Sequence, residues 1–236
     1  MNIIKIPVSK QLVYNINKLF NYNKQYLNNN NKINYVNIFH KSWSENKNNI
    51  SKYIIEMLKL ESPIFCNTLI SHNVHYFGFI QSQPNCDNQH FHIDYFGKSI
   101  TFFIPLTDIT NMNGTEYLHF NNTINYKKYF SKMLDLSNKY TNKNDIINML
   151  NDINLMYKKD YDFKIVNCKQ YSMIEMPYYV FHRGKTNETN ETRTMFQITL
   201  TEKDSKLNIM NHMVIDDAEL DDENKDIIIK NRNKIL

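Results

Sequence analysis

The sequence predicts an α+β protein with a β-barrel core, helices before the barrel and a helical insertion within it. Two patterns carry this prediction. Apolar side chains recur at helical spacing in residues 8–60 and 124–157, whereas short runs of β-branched and aromatic residues fill most of the rest. The length of 236 residues suits one domain. We predict a single domain, 1–236, with a mainly helical flank at 1–70, a barrel core at 74–202 and a tail at 203–236.

The helical flank is expected to contain two helices. The first follows a candidate N-cap at Ser9, and the second is expected near Ile50–Leu60. The Asn-rich run Leu27–Lys32 between them is typical of a loop. The insertion at 124–157 contains two further apolar stripes and is expected to cover one end of the barrel.

Six short runs bounded by Gly, Pro and Asn are predicted strands. In the last of them, Arg193, Gln197 and Thr199 share one face, because side chains alternate along a strand. That face is unusually polar for a core, which suits a barrel interior that holds a ligand. The six predicted strands are Val74–Gln81, Ser99–Leu106, Thr115–Phe120, Tyr171–Met176, Tyr178–His182 and Thr192–Thr201.

Composition narrows the class of protein. The net charge of +4 is spread over many side chains, so no nucleic-acid partner is expected. No run approaches the roughly 20 apolar residues of a membrane span. The N-terminus does not resemble a signal peptide, and the three cysteines have no paired spacing. We therefore expect an intracellular, cytoplasmic protein, while its oligomeric state stays open.

The chain is rich in Asn, Ile, Lys and Tyr, which have AT-rich codons, and we interpret this as the bias of an AT-rich microbial or viral genome. Residues that such a genome supplies sparsely are informative where they occur. The chain has four glycines and three arginines, and two of the arginines, Arg183 and Arg193, closely follow His182.

The central motif is His92-Ile93-Asp94. On an extended strand, residues i and i+2 point the same way, so these side chains can offer an imidazole and a carboxylate to one metal ion. His182 can complete the two-histidine, one-carboxylate facial triad of non-haem iron(II) oxygenases. Such a triad leaves coordination positions open for a 2-oxo acid and dioxygen. Arg193, eleven residues after His182, can pair with a carboxylate in bidentate fashion.

In these motifs the sequence resembles the iron(II)/2-oxoglutarate-dependent dioxygenases, particularly their phytanoyl-CoA dioxygenase-like branch. The segments that carry the resemblance are HFHIDYFGKSITFFIPLTDITNMNGTEYLHF and FHRGKTNETNETRTMFQITL. That branch shows His-x-Asp, then Asn-Gly, then His-x-Gly with an arginine eleven residues after the histidine. The resemblance covers roughly residues 74–202 without the insertion. The turn that usually follows Asn-Gly is changed here, and only His119 echoes it.

The resemblance implies a double-stranded β-helix, which is a jelly-roll, cupin-like barrel flanked by helices. It also implies that His92, Asp94 and His182 hold Fe(2+), that Arg193 holds the co-substrate 2-oxoglutarate and that O2 is the second co-substrate. The expected reaction oxidises a small organic substrate, usually by hydroxylation, and releases succinate and CO2. Ascorbate could serve as a reductant.

Two further side chains lie near these motifs in the sequence or in the predicted strands. Gln81, at a predicted strand end, is a candidate contact of 2-oxoglutarate, and the alternative is an exposed polar residue. Arg183 is expected to face solvent, on the opposite strand face from His182. Two other functions stay open: a catalytically inactive jelly-roll module that binds a ligand or a protein, and a cupin-type metalloenzyme that does not use 2-oxoglutarate.

Overall fold

The computed structural model describes residues 3–27, 31–38, 45–92, 94, 99–120 and 161–203. The predicted insertion at 124–157 and the predicted tail beyond Lys203 lie outside these residues. The described part of the chain contains three α-helices: α1 (Lys10–Asn23), α2 (Glu45–Glu61) and α3 (Pro63–Ser71). None of the described helices is long and apolar enough to cross a membrane. The strands within the same residue ranges are β1 (Ile4–Pro7), β2 (Ile33–Asn37), β3 (His72–Ser82), β4 (Ser99–Pro105), β5 (Thr115–Phe120), β6 (Tyr161–Val166), β7 (Ser172–Pro177), β8 (His182–Gly184) and β9 (Arg193–Glu202).

The strands form two antiparallel sheets. The larger sheet has the order β1-β7-β4-β9-β3-β2, and the smaller sheet has the order β6-β5-β8. The strand pairing that extends over the most residues is that of β3 with β9. Its register places Ser82 opposite Arg193 and Gln81 opposite Thr194. In the smaller sheet, Tyr117 of β5 lies opposite His182. The architecture agrees with a cupin-like β-sandwich.

The larger sheet uses its two faces differently, because side chains alternate along each strand. Phe79 and Phe196 belong to the outer face, which packs against the three helices in one hydrophobic core. Met195 belongs to the inner face and packs in a second core with Tyr117 and Val180 from the opposite side of the sandwich. The outer core therefore anchors the helices, and the inner core joins the two sheets.

Gly78 allows two strands and a tyrosine to approach closely inside the sandwich. A Cβ atom at this position would collide with the backbone carbonyl oxygen of Val36 on β2 and lie 2.8 Å from the Tyr76 hydroxyl. The absence of a side chain thus makes room for the buried Tyr76 ring.

The structure corrects parts of the strand and helix prediction. The flank is not only helical, since β1 and β2 add both edge strands of the larger sheet. The polar residues of β2 obscured its alternating burial, which becomes visible only where it pairs with β3. The predicted strand Tyr178–His182 was wrong over most of its length, because residues 178–179 form a turn and β8 begins at His182. The strand β6 and the helix α3 were not predicted.

Candidate metal centre and anion site

The structure brings His92, Asp94 and His182 together. His92 forms an isolated β-bridge with His182, in which the His92 N–H donates to the His182 carbonyl (2.8 Å) and the His182 N–H donates to the His92 carbonyl (2.9 Å). Asp94 lies in a bend two residues later rather than on an extended strand. The bridge therefore sets the relative positions of the two histidines. Asp94 reaches them from a bend and not, as predicted, from an extended strand.

The three side chains form a compact set of donor atoms. Asp94 Oδ1 lies 3.4 Å from His92 Nε2 and 3.3 Å from His182 Nε2. One ligand atom from each residue lies within 4.8 Å of the others. Bonds of about 2.1 Å at right angles would place neighbouring ligand atoms about 3 Å apart. The donor set therefore fits a divalent transition-metal ion with little movement.

Hydrogen bonds from the opposite side of each ring orient the imidazoles. The backbone carbonyl of His90 lies 2.7 Å from His92 Nδ1, and that of Val180 lies 2.9 Å from His182 Nδ1. A carbonyl oxygen can only accept, so each Nδ1 must carry the proton. Nε2 is then the atom of each ring that faces Asp94: it donates to the carboxylate when the imidazole is protonated, and it would offer its lone pair to a metal ion once that proton is lost.

The charges in the site favour an ionised carboxylate. Burial opposes ionisation of Asp94, but attraction and hydrogen bonds from His182 and His92 outweigh it and hold the pKa of the carboxyl well below its usual range. Burial also disfavours the charged form of His182, yet the neighbouring Asp94 raises the pKa of this imidazole. The His92 side chain is 22% exposed and that of His182 is 6% exposed, so the centre opens on the His92 side.

Aromatic side chains pack behind the two histidines. Phe91 and Phe181, which directly precede His92 and His182, are fully buried and stack at 5.4 Å between ring centroids. The guanidinium carbon of Arg183 lies 4.4 Å from the centre of the Phe91 ring. The residues flanking each ligand are thus immobilised, which restricts the positions of the ligands themselves.

Arg183 does not face solvent, contrary to the sequence-based expectation. It is 6% exposed and forms a buried ion pair with Glu116 on the neighbouring strand β5. Sequence alternation correctly placed Arg183 on the opposite strand face from His182. It could not show that other parts of the chain cover that face.

Arg193 opens β9 and is buried, with 4% of its surface exposed. Its Nη1 donates to the carbonyl oxygens of Asn113 and Gly114, and its Nη2 donates to Ser82 Oγ at 2.7 Å. Within the described part of the chain, Arg193 forms no ion pair with an aspartate or a glutamate. Burial lowers the pKa of its guanidinium. A buried cation without an acidic partner is expensive, so this site favours an anion.

The guanidinium lies close to the strand that carries His182. A Cβ atom on Gly184, two residues after His182, would lie 3.1 Å from Arg193 Nη2. Two extended residues span about 7 Å. The guanidinium therefore lies beside a point on β8 that is about one such span along the backbone from His182.

Gln81 is not brought to this anion site. Its neighbour Ser82 contacts Arg193, and adjacent strand residues point to opposite faces. The Gln81 amide instead lies 3.4 Å from Thr194 Oγ1 and accepts a hydrogen bond from Gln83. It is also buried rather than exposed, so its position matches neither the candidate contact nor the exposed alternative.

Three residues beside Arg193 were missed by sequence reasoning. Ser82 contacts it directly, Gln89 lies next to it across Gly184, and the hydroxyl of Tyr35 on β2 accepts a hydrogen bond from Gln89. Only Gln89 had a signal in the sequence, because it lies three residues before His92. Ser82 and Tyr35 are ordinary polar strand residues until β2, β3 and β9 pair.

Comparison with known proteins supports the fold assignment. Neither a protein-family model nor a curated protein sequence matches the chain. Solved structures do match. The non-haem α-ketoglutarate-dependent carbocyclase SnoK from nogalamycin biosynthesis has a TM-score of 0.57 and 11% identity, over 85% of this chain and 79% of SnoK.

Two further matches were solved with metal and co-substrate. HygX from Streptomyces hygroscopicus, with nickel and 2-oxoglutarate bound, has a TM-score of 0.52 and 8% identity, over 85% of this chain and 83% of HygX. The epimerase SnoN, in complex with Fe3+, α-ketoglutarate and nogalamycin RO, has a TM-score of 0.51 and 11% identity, over 85% of this chain and 78% of SnoN. The predicted resemblance to iron/2-oxoglutarate enzymes is confirmed at the level of the fold, and the phytanoyl-CoA dioxygenase-like branch stays a prediction.

Proposed function

We propose that this chain is an iron(II)- and 2-oxoglutarate-dependent dioxygenase that hydroxylates a small organic substrate and releases succinate and CO2. One observation carries the proposal. A His-Asp-His donor set lies close to a buried arginine that has no acidic partner among the described residues. The first feature suits a metal with open positions, and the second suits the distal carboxylate of a 2-oxo diacid.

The roles of the side chains follow from their contacts. His92, Asp94 and His182 hold the metal through two Nε2 atoms and a carboxylate oxygen. Arg193 pairs with the distal carboxylate, while Ser82 and the carbonyls of Asn113 and Gly114 hold its guanidinium in place. When bound, iron(II) with 2-oxoglutarate and O2 supplies the oxidising chemistry, and ascorbate keeps the iron reduced between turnovers.

The finer fold assignment also belongs to this proposal. Two antiparallel sheets pack through an inner core, and the candidate metal ligands lie on β8 and on the segment before β4. This arrangement suits the double-stranded β-helix of jelly-roll, cupin-like enzymes. A small-molecule substrate is supported by the matched structures, which include SnoN with nogalamycin RO bound.

The decisive experiment is substrate-stimulated succinate formation. Purified chain, iron(II), ascorbate, O2 and 2-oxoglutarate are incubated with a panel of small organic molecules, and succinate is measured. His182→Ala should abolish succinate formation, whereas His72→Ala, at the far end of β3, should not. Full activity of His182→Ala would contradict the proposal. Substrate conversion that persists without 2-oxoglutarate would favour a cupin-type metalloenzyme instead, and failure to bind 2-oxoglutarate with iron would favour a non-catalytic binding module.

A further inference from the structure

Gln89 connects three elements of the candidate site. Its backbone N–H donates to the Gly184 carbonyl at 2.9 Å, and its side-chain Oε1 accepts from the Gly184 N–H at 2.7 Å. Its Nε2 donates to the Tyr35 hydroxyl. One glutamine thus ties the segment that carries His92 to β8, which carries His182, and to β2.

The contacts determine which way the amide points. The Gly184 N–H can only donate, so the amide oxygen must face Gly184. The NH2 group must then face Tyr35, whose hydroxyl oxygen accepts from it. Both ends of the amide are used, and the group provides an acceptor and a donor without carrying a charge.

The same amide borders the buried cation. A Cβ atom on Gly184 would lie 2.5 Å from Gln89 Oε1 and 3.1 Å from Arg193 Nη2. Both atoms therefore border the same small space beside Gly184 and lie no more than 5.6 Å apart, the sum of the two distances. A carboxylate at position 89 would be close enough to neutralise the guanidinium, whereas the neutral amide leaves its charge available.

We propose that Gln89 is a positioning residue of the anion site, which fixes Gly184 and Tyr35 beside Arg193 and leaves the guanidinium charge for the distal carboxylate of the co-substrate. This inference rests on the proposed function. In this role Gln89 affects the binding of the anionic co-substrate through Arg193, and it does not act through the metal ligands.

The test compares three variants by calorimetry under anaerobic conditions. Gln89→Glu keeps the shape and the acceptor for Gly184 but adds a negative charge. Gln89→Ala removes both side-chain hydrogen bonds without adding charge. Asn88→Asp is the matched control, because Asn88 is exposed and its Oδ1 accepts from the Thr186 N–H in the same way. Each variant is titrated first with iron(II) and then, when loaded, with 2-oxoglutarate.

Gln89→Glu should raise the dissociation constant for 2-oxoglutarate by at least about tenfold, while that for iron(II) changes less than about threefold. Gln89→Ala should weaken 2-oxoglutarate binding less than Gln89→Glu does, and Asn88→Asp should leave it unchanged. Equal weakening by Gln89→Glu and Gln89→Ala, or a loss of iron(II) binding that matches the loss of 2-oxoglutarate binding, would overturn the inference. Unaltered affinity in Gln89→Glu, with 2-oxoglutarate bound normally by the parent chain, would overturn this inference alone. A parent chain that binds iron(II) but no 2-oxoglutarate would overturn the proposed function and this inference with it.

Discussion

Arg183 and Glu116 form a buried ion pair directly behind the candidate metal ligand His182. Their side chains are 7% and 4% exposed, and Arg183 Nη2 lies 2.8 Å from Glu116 Oε2. Arg183 Nε also donates to the same oxygen at 2.9 Å. The register of β5 and β8 places the two residues opposite each other. The pair therefore locks the short strand that carries His182 to its neighbour.

Removal of one partner should cost much of the chain's stability. Glu116→Gln leaves the Arg183 guanidinium buried without its counter-ion, so the free energy of unfolding should fall by about 3 kcal/mol or more. Urea denaturation followed by circular dichroism measures this change. The double variant Glu116→Leu with Arg183→Met should recover part of the loss, because an apolar pair leaves no buried charge. A loss below about 1 kcal/mol in Glu116→Gln would show that the pair is not a buried, coupled one.

Arg193 should be irreplaceable by lysine. Lysine keeps the charge but loses the planar fork that reaches Ser82 and two backbone carbonyls and would pair with the carboxylate of the proposed co-substrate. Arg193→Lys should raise the KM for 2-oxoglutarate by about tenfold, and Arg193→Ala by about a hundredfold, with iron(II) affinity largely retained. Steady-state succinate formation at varied 2-oxoglutarate checks both values. An unchanged KM in Arg193→Ala would remove this residue from the co-substrate site.

Metal should stabilise the folded chain through the His-Asp-His set. A ligand that binds only the folded state stabilises it by about 2.7 kcal/mol at a free concentration of 100 times its dissociation constant. Iron(II) or manganese(II), added without O2, should therefore raise the melting temperature, and a chelator should reverse the shift. His182→Ala should lose the shift, and His72→Ala should keep it. An equal shift in His182→Ala would place the metal elsewhere.

Two glycines should respond differently to the same added methyl group. In Gly184→Ala the methyl meets the ends of the Gln89 and Arg193 side chains and no backbone atom of another strand, so displacing these ends from their hydrogen-bonded positions should lower 2-oxoglutarate affinity more than it lowers stability. In Gly78→Ala it meets the backbone carbonyl of Val36 and the Tyr76 hydroxyl, so the free energy of unfolding should fall by about 1–3 kcal/mol. Thermal unfolding and calorimetry separate the two effects. The reverse pattern would contradict the assigned positions.

Much of the β-sandwich could be predicted from local patterns. Strands β3, β4, β5, β7 and β9 match predicted runs within two residues at each end, because their alternation and their flanking Gly, Pro and Asn are local properties. The prediction was wrong where the signal depends on a partner strand. The polar strand β2 becomes recognisable only when it pairs with β3.

The amino-acid sequence specifies which donor groups the candidate site contains. Two histidines, one aspartate and a rare arginine in this order predict a metal centre and a carboxylate anchor, because donor type is a property of the side chain. The tertiary structure determines which groups surround the Arg193 guanidinium. Ser82 reaches Arg193 across 111 residues, Gln89 reaches Gly184 across 95 and Tyr35 across 54. Such contacts form only when strands that are distant in the sequence pair. The burial of Arg183 and the position of Gln81 on the outer face of the larger sheet depend on the same pairing.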